Sequence, residues 1–366
     1  MKVLFDSFTN RVNMKELRFF ILILLIIPFA ASAQTQKEKP AVTYEELYDE
    51  PFSINKLFIG FQPLYGELFA TNVNAGFGIE ASYFHKDKFD IKASFRKTYS
   101  SDFYDLNRQS FLKNQSPPVQ DVSYYISDKP QPFSYYELGA TYHIKDFDQD
   151  SKTKMVLYKK SFKGDRWAAT VPLHAEIPCK VRKIYGARLG AIVWNSTADL
   201  TTAMNHQGLT NNDLKNSSGV GLPDKYKDQY GQLQPLEVFG TVHSANIYLG
   251  GSLTWIRNVA VSFDKYDDGI DDGIMTVFLD LMFAPSLTLD PVTYMSQKYS
   301  TDAIKMSTIG FRAGIDGKFN RTLSWSYGGE FGYRPTISGQ GFFAMFKIAF
   351  PLYSTNLDQK VESFGK

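Results

Sequence analysis

The chain is 366 residues with 43% hydrophobic, 15% aromatic and 21% charged residues, the apolar and aromatic content that long disordered chains lack. Lys and Arg number 40 against 38 Asp and Glu, a formal net charge of +2, which excludes a strongly basic nucleic-acid binder and an acidic solvating tail. A single cysteine, Cys179, excludes an intrachain disulfide framework, and no Cys and His clustering has the spacing of a structural zinc site.

At the amino end, the charged stretch 15–18 precedes the apolar run 19–30 and then Ala31, Ser32 and Ala33, a small-x-small site before Gln34. This is the pattern of a secretory signal peptide over 1–33, with cleavage near Ala33, and the run is too short for the roughly 20 apolar residues of a spanning helix. Met14, directly before the basic stretch, is the expected true start. No cysteine stands directly after the cleavage site, which disfavours a lipid anchor. Residues 34–55, with Glu45, Glu46, Asp49 and Glu50, read as a periplasmic leader without core-forming potential, although a partner strand or helix is left open.

From residue 56 to 353 the chain alternates with period 2, as strands with one apolar and one polar face do. Val73, Ala75, Phe77, Ile79, Ala81 and Tyr83 share one face against Asn74, Gly76, Gly78, Glu80 and Ser82. The next run sets Ile91, Ala93 and Phe95 against Lys92, Ser94 and Arg96, and later runs repeat it around Leu249, Phe311 and Phe331. Strands are predicted near 56–69, 72–86, 88–101, 132–146, 152–163, 166–179, 182–195, 243–263, 274–285, 307–317, 322–334 and 340–353, about twelve within a range of 10 to 14. Pro63 and Pro172 would each need a bulge or an edge position. Residues 354–366 trail as a C-terminal tail.

Soluble strands average roughly 5 or 6 residues, whereas a tilted transmembrane strand needs roughly 9 to 11, which nearly all these runs reach. The polar faces carry Glu80, Arg96, Glu137, Arg188, Asp280, Arg312, Asp316, Glu330 and Arg334, with His143, His174 and Glu176, at positions that a polar lumen explains. On this reading Leu249 and Phe311 face lipid, and Ser252 and Gly310 face the lumen. The longest connections, 102–131, 196–242 and 286–306, follow strands three, seven and nine, all odd, as in barrels that put long loops outside the cell.

In these features the chain resembles the outer-membrane β-barrel proteins of Gram-negative bacteria, and its Ala-Ser-Ala/Gln site is similar to those of Bacteroidota exported proteins. The resemblance spans roughly 56–353 and implies an all-β fold, a single transmembrane antiparallel barrel with long extracellular loops in the outer membrane. Such barrels usually end on a terminal aromatic; here Phe342, Phe346, Ile348 and Phe350 alternate, but the tail continues past them.

Two constellations could carry chemistry. Asp264, Asp267, Asp268, Asp271 and Asp272 cluster around two glycines as hard-cation loops do, a partial calcium match because Tyr266 stands where an oxygen ligand is wanted; Asp-Gly hairpin chemistry is the ordinary alternative. No His, Ser or Cys spacing assembles a triad, so an outer-membrane lipid hydrolase ranks third, and no cofactor other than that calcium is implied. The loops 102–131 and 196–242, with Tyr124, Tyr125, Tyr226 and Tyr230, could grip envelope proteins or fold into the barrel mouth. The expected function is a porin-like passive channel for small solutes with a charged lumen; the alternative is a closed barrel serving as scaffold or accessory subunit of a larger envelope complex.

Overall fold

The alternating segments close into a ten-strand antiparallel barrel. The computed structural model describes residues 42–69, 72–85, 88–100, 103–105, 110–112, 133–157, 173–227, 230–320 and 325–354. The signal peptide expected over 1–33, most of the loop 102–131 with Tyr124 and Tyr125, Pro172 and the tail from 355 lie outside the described residues. The barrel strands are β1 (Leu57–Phe69), β2 (Asn72–His85), β3 (Phe89–Thr98), β4 (Ser134–Leu157), β5 (Leu173–Asp199), β6 (Phe239–Ile256), β7 (Gly273–Leu289), β8 (Ile309–Phe319), β9 (Ser326–Tyr333) and β10 (Phe342–Ser354). Each pairs with its sequence neighbour, and β1 pairs with both β2 and β10, so the barrel has no free edge.

Ten strands replace the twelve read from the alternation because two breaks are not turns. Among the described residues, the runs predicted at 132–146 and 152–163 fall on one strand, β4, ending at Leu157, and those at 166–179 and 182–195 on one strand, β5, beginning at Leu173. These two stay paired from Ser134 opposite Asn195 to Leu157 opposite Leu173, with one irregularity between His143 and Lys145. The polar stretch Asp146–Ser151 interrupts the apolar pattern without ending the strand. The predicted strand 243–263, conversely, divides at Arg257 and Asn258 into β6 and a short strand Val259–Phe263. Removing two strands between the third and the seventh keeps parity: the long connections now follow β3, β5 and β7 and share one end, the loop end. Pro63 sits at a register shift of β1 against both of its neighbours.

The barrel wall is turned inside out relative to a soluble barrel. Leu138, Leu189, Leu249, Leu281, Ile309 and Phe346 are each more than half exposed, while Arg96, Asp280 and Arg312 are buried in the interior. Gly310 faces inward as expected, yet it is not the roomy lumen position the alternation implies. A Cβ there would strike the Tyr333 carbonyl and lie 2.7 Å from Pro335 Cδ.

Both ends carry additional structure. At the loop end, the helix α1 (Leu200–His206) is capped by the Asp199 carboxylate, which accepts from the Thr202 amide at 3.0 Å. Leu200, Met204, Leu214, Leu222, Val292 and Ile337 join Phe69, Phe133, Trp194 and Phe343 of the barrel rim in one apolar cluster. The connections therefore fold over the barrel mouth as a cap with its own core.

At the terminus end, β4 and β5 run on past the exposed apolar belt as a two-stranded extension. One face of it buries Met155, Ile177, Cys179 and Val181. Nearby, the strand Tyr44–Asp49 pairs with Val259–Phe263, which pairs with Gly269–Asp271. Thr153 donates to Asp271 at 2.6 Å, and the Lys180 amide donates to Asp49 at 2.7 Å, tying this small sheet to the extension. The leader is thus not devoid of core-forming residues. After Asp49 it turns, Asn258 donates to the carbonyls of Glu50 and Ser53 at 2.8 and 3.0 Å, and Ile54 packs with Ile184, Ile256 and Ile274 at the barrel mouth.

Burial pushes the Cys179 thiol up to about 11 from its ordinary 9.0. The folded protein therefore holds a protonated, unreactive thiol at pH 8, and maleimide labelling is expected to be far slower than after unfolding in denaturant. Because the folded value is the raised one, the thiol's contribution to stability is present below pH 9.0 and is lost as pH rises toward about 11. Fast labelling of the folded protein at pH 8 would contradict the buried extension.

Candidate functional site

Across the middle of the barrel, inward positions of seven strands bring four guanidinium groups against four carboxylates. Arg312 on β8 donates to Glu137 on β4 at 2.5 Å, to Asp280 on β7 at 2.8 Å and to Glu330 on β9 at 3.5 Å. Arg96 on β3 reaches Glu330 at 3.3 Å, and Arg188 on β5 reaches Asp280 at 2.9 Å. Arg334, just after β9, donates to Glu67 on β1 at 2.5 Å. All eight residues are between 0% and 6% exposed. The formal charges cancel, four against four, which is what burial in a low-dielectric interior requires.

Pairing spans the barrel and does not merely line it. β4 and β8 stand four strands apart around the ten-strand ring, as do β3 and β9, so Arg312–Glu137 and Arg96–Glu330 join nearly opposite walls. Tyr135 knits the centre further, accepting from Arg312 at 3.0 Å and donating to Glu137 at 2.9 Å. Aromatic rings supply the remaining faces: Arg96 lies 4.1 Å over Tyr135, Arg188 4.1 Å over Phe278, Arg312 4.5 Å over Tyr248 and Arg334 4.0 Å over Phe343.

Two glycine placements make this geometry possible. Arg188, Gly250, Asp280 and Arg312 form one cross-strand row over β5 to β8, and a Cβ on Gly250 would collide with the Asp280 carboxylate. The missing side chain lets Arg188 reach over β6 to Asp280. Gly139 and Gly190 oppose each other and leave room for Tyr248; a Cβ on Gly190 would come within 2.5 Å of that ring.

Toward the terminus end the interior opens into a cavity of about 1030 Å³, its solvent-filled mouth included. Arg188, Ser252, Thr254 and Thr276 lie on its inner side, and Phe58, Phe84 and Ile274 near its mouth. Glu80 and Asp316 stand here with Lys347, at 2.6 and 3.0 Å, and Asp316 also pairs with Lys92 at 2.5 Å.

The nine charges expected in the lumen therefore fall into two groups. Arg96, Glu137, Arg188, Asp280, Arg312, Glu330 and Arg334 form the central network, and Glu80 and Asp316 line the cavity. Sequence reasoning missed Glu67, because the shift at Pro63 exchanges the two faces of β1: Gly60 and Gln62 point inward before it, Tyr65, Glu67 and Phe69 after it. Lys347 was legible, since it shares the inward parity of Phe343 and Met345 on β10. His143 is interior, 3.2 Å from Asp90, but His174 and Glu176 lie on the exposed face of the β4–β5 extension.

The calcium candidate does not assemble. Asp264, Asp267 and Asp268 are exposed, Asp271 bonds Thr153 and lies 3.5 Å from Arg257, and Asp272 is buried. Among the described residues, no three His, Cys, Asp or Glu side chains are grouped to hold a metal ion. No protein-family model and no curated protein matches the chain, so the geometry carries the functional reading by itself.

Asp280 is fully buried and holds two guanidinium groups. Asp280→Asn leaves uncompensated positive charge in the interior and is expected to cost about 3–5 kcal/mol, read as an earlier heat-induced unfolding transition in detergent. An unchanged transition would mean that this level of the barrel is hydrated.

Proposed function

We propose that the protein is an integral outer-membrane barrel whose lumen is sealed by its own side chains, and that it serves as a scaffold or accessory subunit of a cell-envelope complex. The observation that carries this reading is the eight-residue network joining opposite walls, each member no more than 6% exposed. A second seal is the apolar cap at the loop end. The outward belt of Leu, Ile and Phe side chains supports placement in lipid: a closed barrel satisfies every backbone group within the wall, and that belt has no place on a soluble surface. The signal-peptide pattern before Gln34 supports export. On this reading the cap, built largely from 200–238 and 290–308, faces outward from the cell, and the small sheet with the β4–β5 extension faces the periplasm. Both are folded surfaces of a kind that protein partners use, which a passive pore does not need.

The porin-like channel is the competing reading and requires a wetted path past Arg312 and Arg334. Two measurements on the full-length protein distinguish the possibilities. Carbonate washing is expected to leave the protein in the membrane pellet, and its gel migration in detergent is expected to shift on heating; release by carbonate would sink the membrane reading. In planar bilayers the purified barrel is expected to give no reproducible conductance steps. Steady ion-selective steps, shifted toward cations by neutralising Arg312 and Arg334, would reject the sealed scaffold and establish the channel.

A further inference from the structure

On β4 and β5 the apolar belt ends in a small set of cations and rings. Along the outward face of β5 the side chains run Leu189, Ala187, Tyr185 and Lys183; along that of β4 they run Tyr142 and Ile144 and then, past the irregularity there, Lys145 and Phe147. Lys145 stands opposite Tyr185 and Phe147 opposite Lys183, so two ammonium groups and two rings alternate on one surface. Phe147 and Tyr185 stack with their centres 6.1 Å apart and 9° between their planes, and the Lys145 ammonium lies 4.5 Å over Phe147. Lys183 donates to Gln149 at 2.8 Å, and Trp255 on β6 is its other cross-strand neighbour.

Among the described residues neither ammonium forms an ion pair. The nearby acidic residues Asp146 and Asp148 alternate to the opposite face, where they engage Arg182 at 2.5 Å and Lys180 at 3.7 Å. One step further along the two strands the outward face is covered: Met155, Ile177, Cys179 and Val181 are buried, and Met155 packs against Gly269 of the small sheet. The cations and rings are thus confined to a band between the belt and that sheet. Apolar side chains, then rings, then cations without carboxylates is the order in which a phospholipid presents its acyl chains, its ester region and its phosphate.

From these placements we infer that the band is a docking site for one anionic phospholipid of the terminus-side leaflet, its phosphate received by Lys145 and Lys183 and its acyl chains lying along Ile144 and Leu189. The inference rests on the membrane reading above and adds to it a place and a headgroup charge. The two lysines are diagonal neighbours across the β4–β5 pair, about 7–8 Å apart at their backbones, so both long side chains reach one phosphodiester. A zwitterionic lipid brings its own cation to the phosphate, whereas a headgroup of net negative charge leaves the phosphate to the lysines. Bound there, the lipid fixes the depth of the barrel at the point where β4 and β5 leave the belt.

The test uses native mass spectrometry of the full-length protein released from detergent micelles that contain equal amounts of phosphatidylglycerol and phosphatidylcholine with matched acyl chains. The first retained lipid is expected to be phosphatidylglycerol, by at least about fivefold over phosphatidylcholine. Replacing both lysines, Lys145→Gln with Lys183→Gln, is expected to bring that ratio close to one, whereas Lys145→Arg with Lys183→Arg keeps it. Lys97→Gln, an exposed position at the loop end of β3, is expected to leave it unchanged. The comparison of the two lipids on unmodified protein holds even if a variant folds poorly. Equal retention of both lipids, a preference that survives in the folded double Gln variant, or an equal loss in Lys97→Gln would overturn the site and leave the membrane reading standing. Retention of neither lipid, together with release by carbonate, would overturn both.

Discussion

The structure depends on one electrostatic constraint: four arginines and four acidic residues inside a closed barrel must neutralise one another where water does not reach. A carboxylate or guanidinium removed from water loses several kcal/mol of hydration, and only close, multiple partners make up the loss. Arginine suits this role because its planar head can serve two or three carboxylates at once, as Arg312 does, while its faces stack on Tyr and Phe rings. Because partners come from nearly opposite strands, satisfying the charges also draws the walls together across the lumen. Charge neutrality and closure of the lumen are one physical arrangement.

The two ends follow from this centre. On the loop side, Arg334 and Glu67 pass the ionic interior to an aromatic layer of Phe69, Phe133 and Phe343, which the cap then buries. On the terminus side the interior stays polar and open, and the charge pairs become partly exposed. The barrel is therefore asymmetric along its axis: capped by an apolar cluster at one end, polar and concave at the other. The β4–β5 extension and the short sheet around Tyr44–Asp49 stand outside that mouth.

Much of this was legible in the sequence because a strand's period of 2 fixes which residues share a face. Seven members of the central network are on the polar face that alternation assigns, and the reversed barrel, apolar outside, follows from charges recurring at mid-strand. The failures have local causes. Glu67 was hidden because the shift at Pro63 swaps the faces of β1. The count of twelve came from reading two facing breaks as turns, the polar stretch near Asp148 and the one at Lys180 and Val181, where the paired β4 and β5 leave the apolar belt. Ile54 lies in the acidic stretch 34–55 and gains its core role only from Ile184, Ile256 and Ile274, far along the chain. Pairing across the lumen was beyond reach, because alternation places side chains on a face but says nothing of which opposite strand they meet.

The central claim is that charges on opposite walls are directly coupled across the lumen, and a double-mutant cycle on Arg312 and Glu137 measures it most directly. Arg312→Met, Glu137→Gln and the double variant are compared by reversible unfolding of the full-length protein in one detergent. The account predicts that each single change is costly and that the double variant is more stable than the sum of the two losses by about 1.5 kcal/mol or more, since removing both partners leaves less unpaired charge than removing one. Losses that simply add, within about 0.5 kcal/mol, would mean that the two groups are separately hydrated and would contradict a lumen closed by its own side chains.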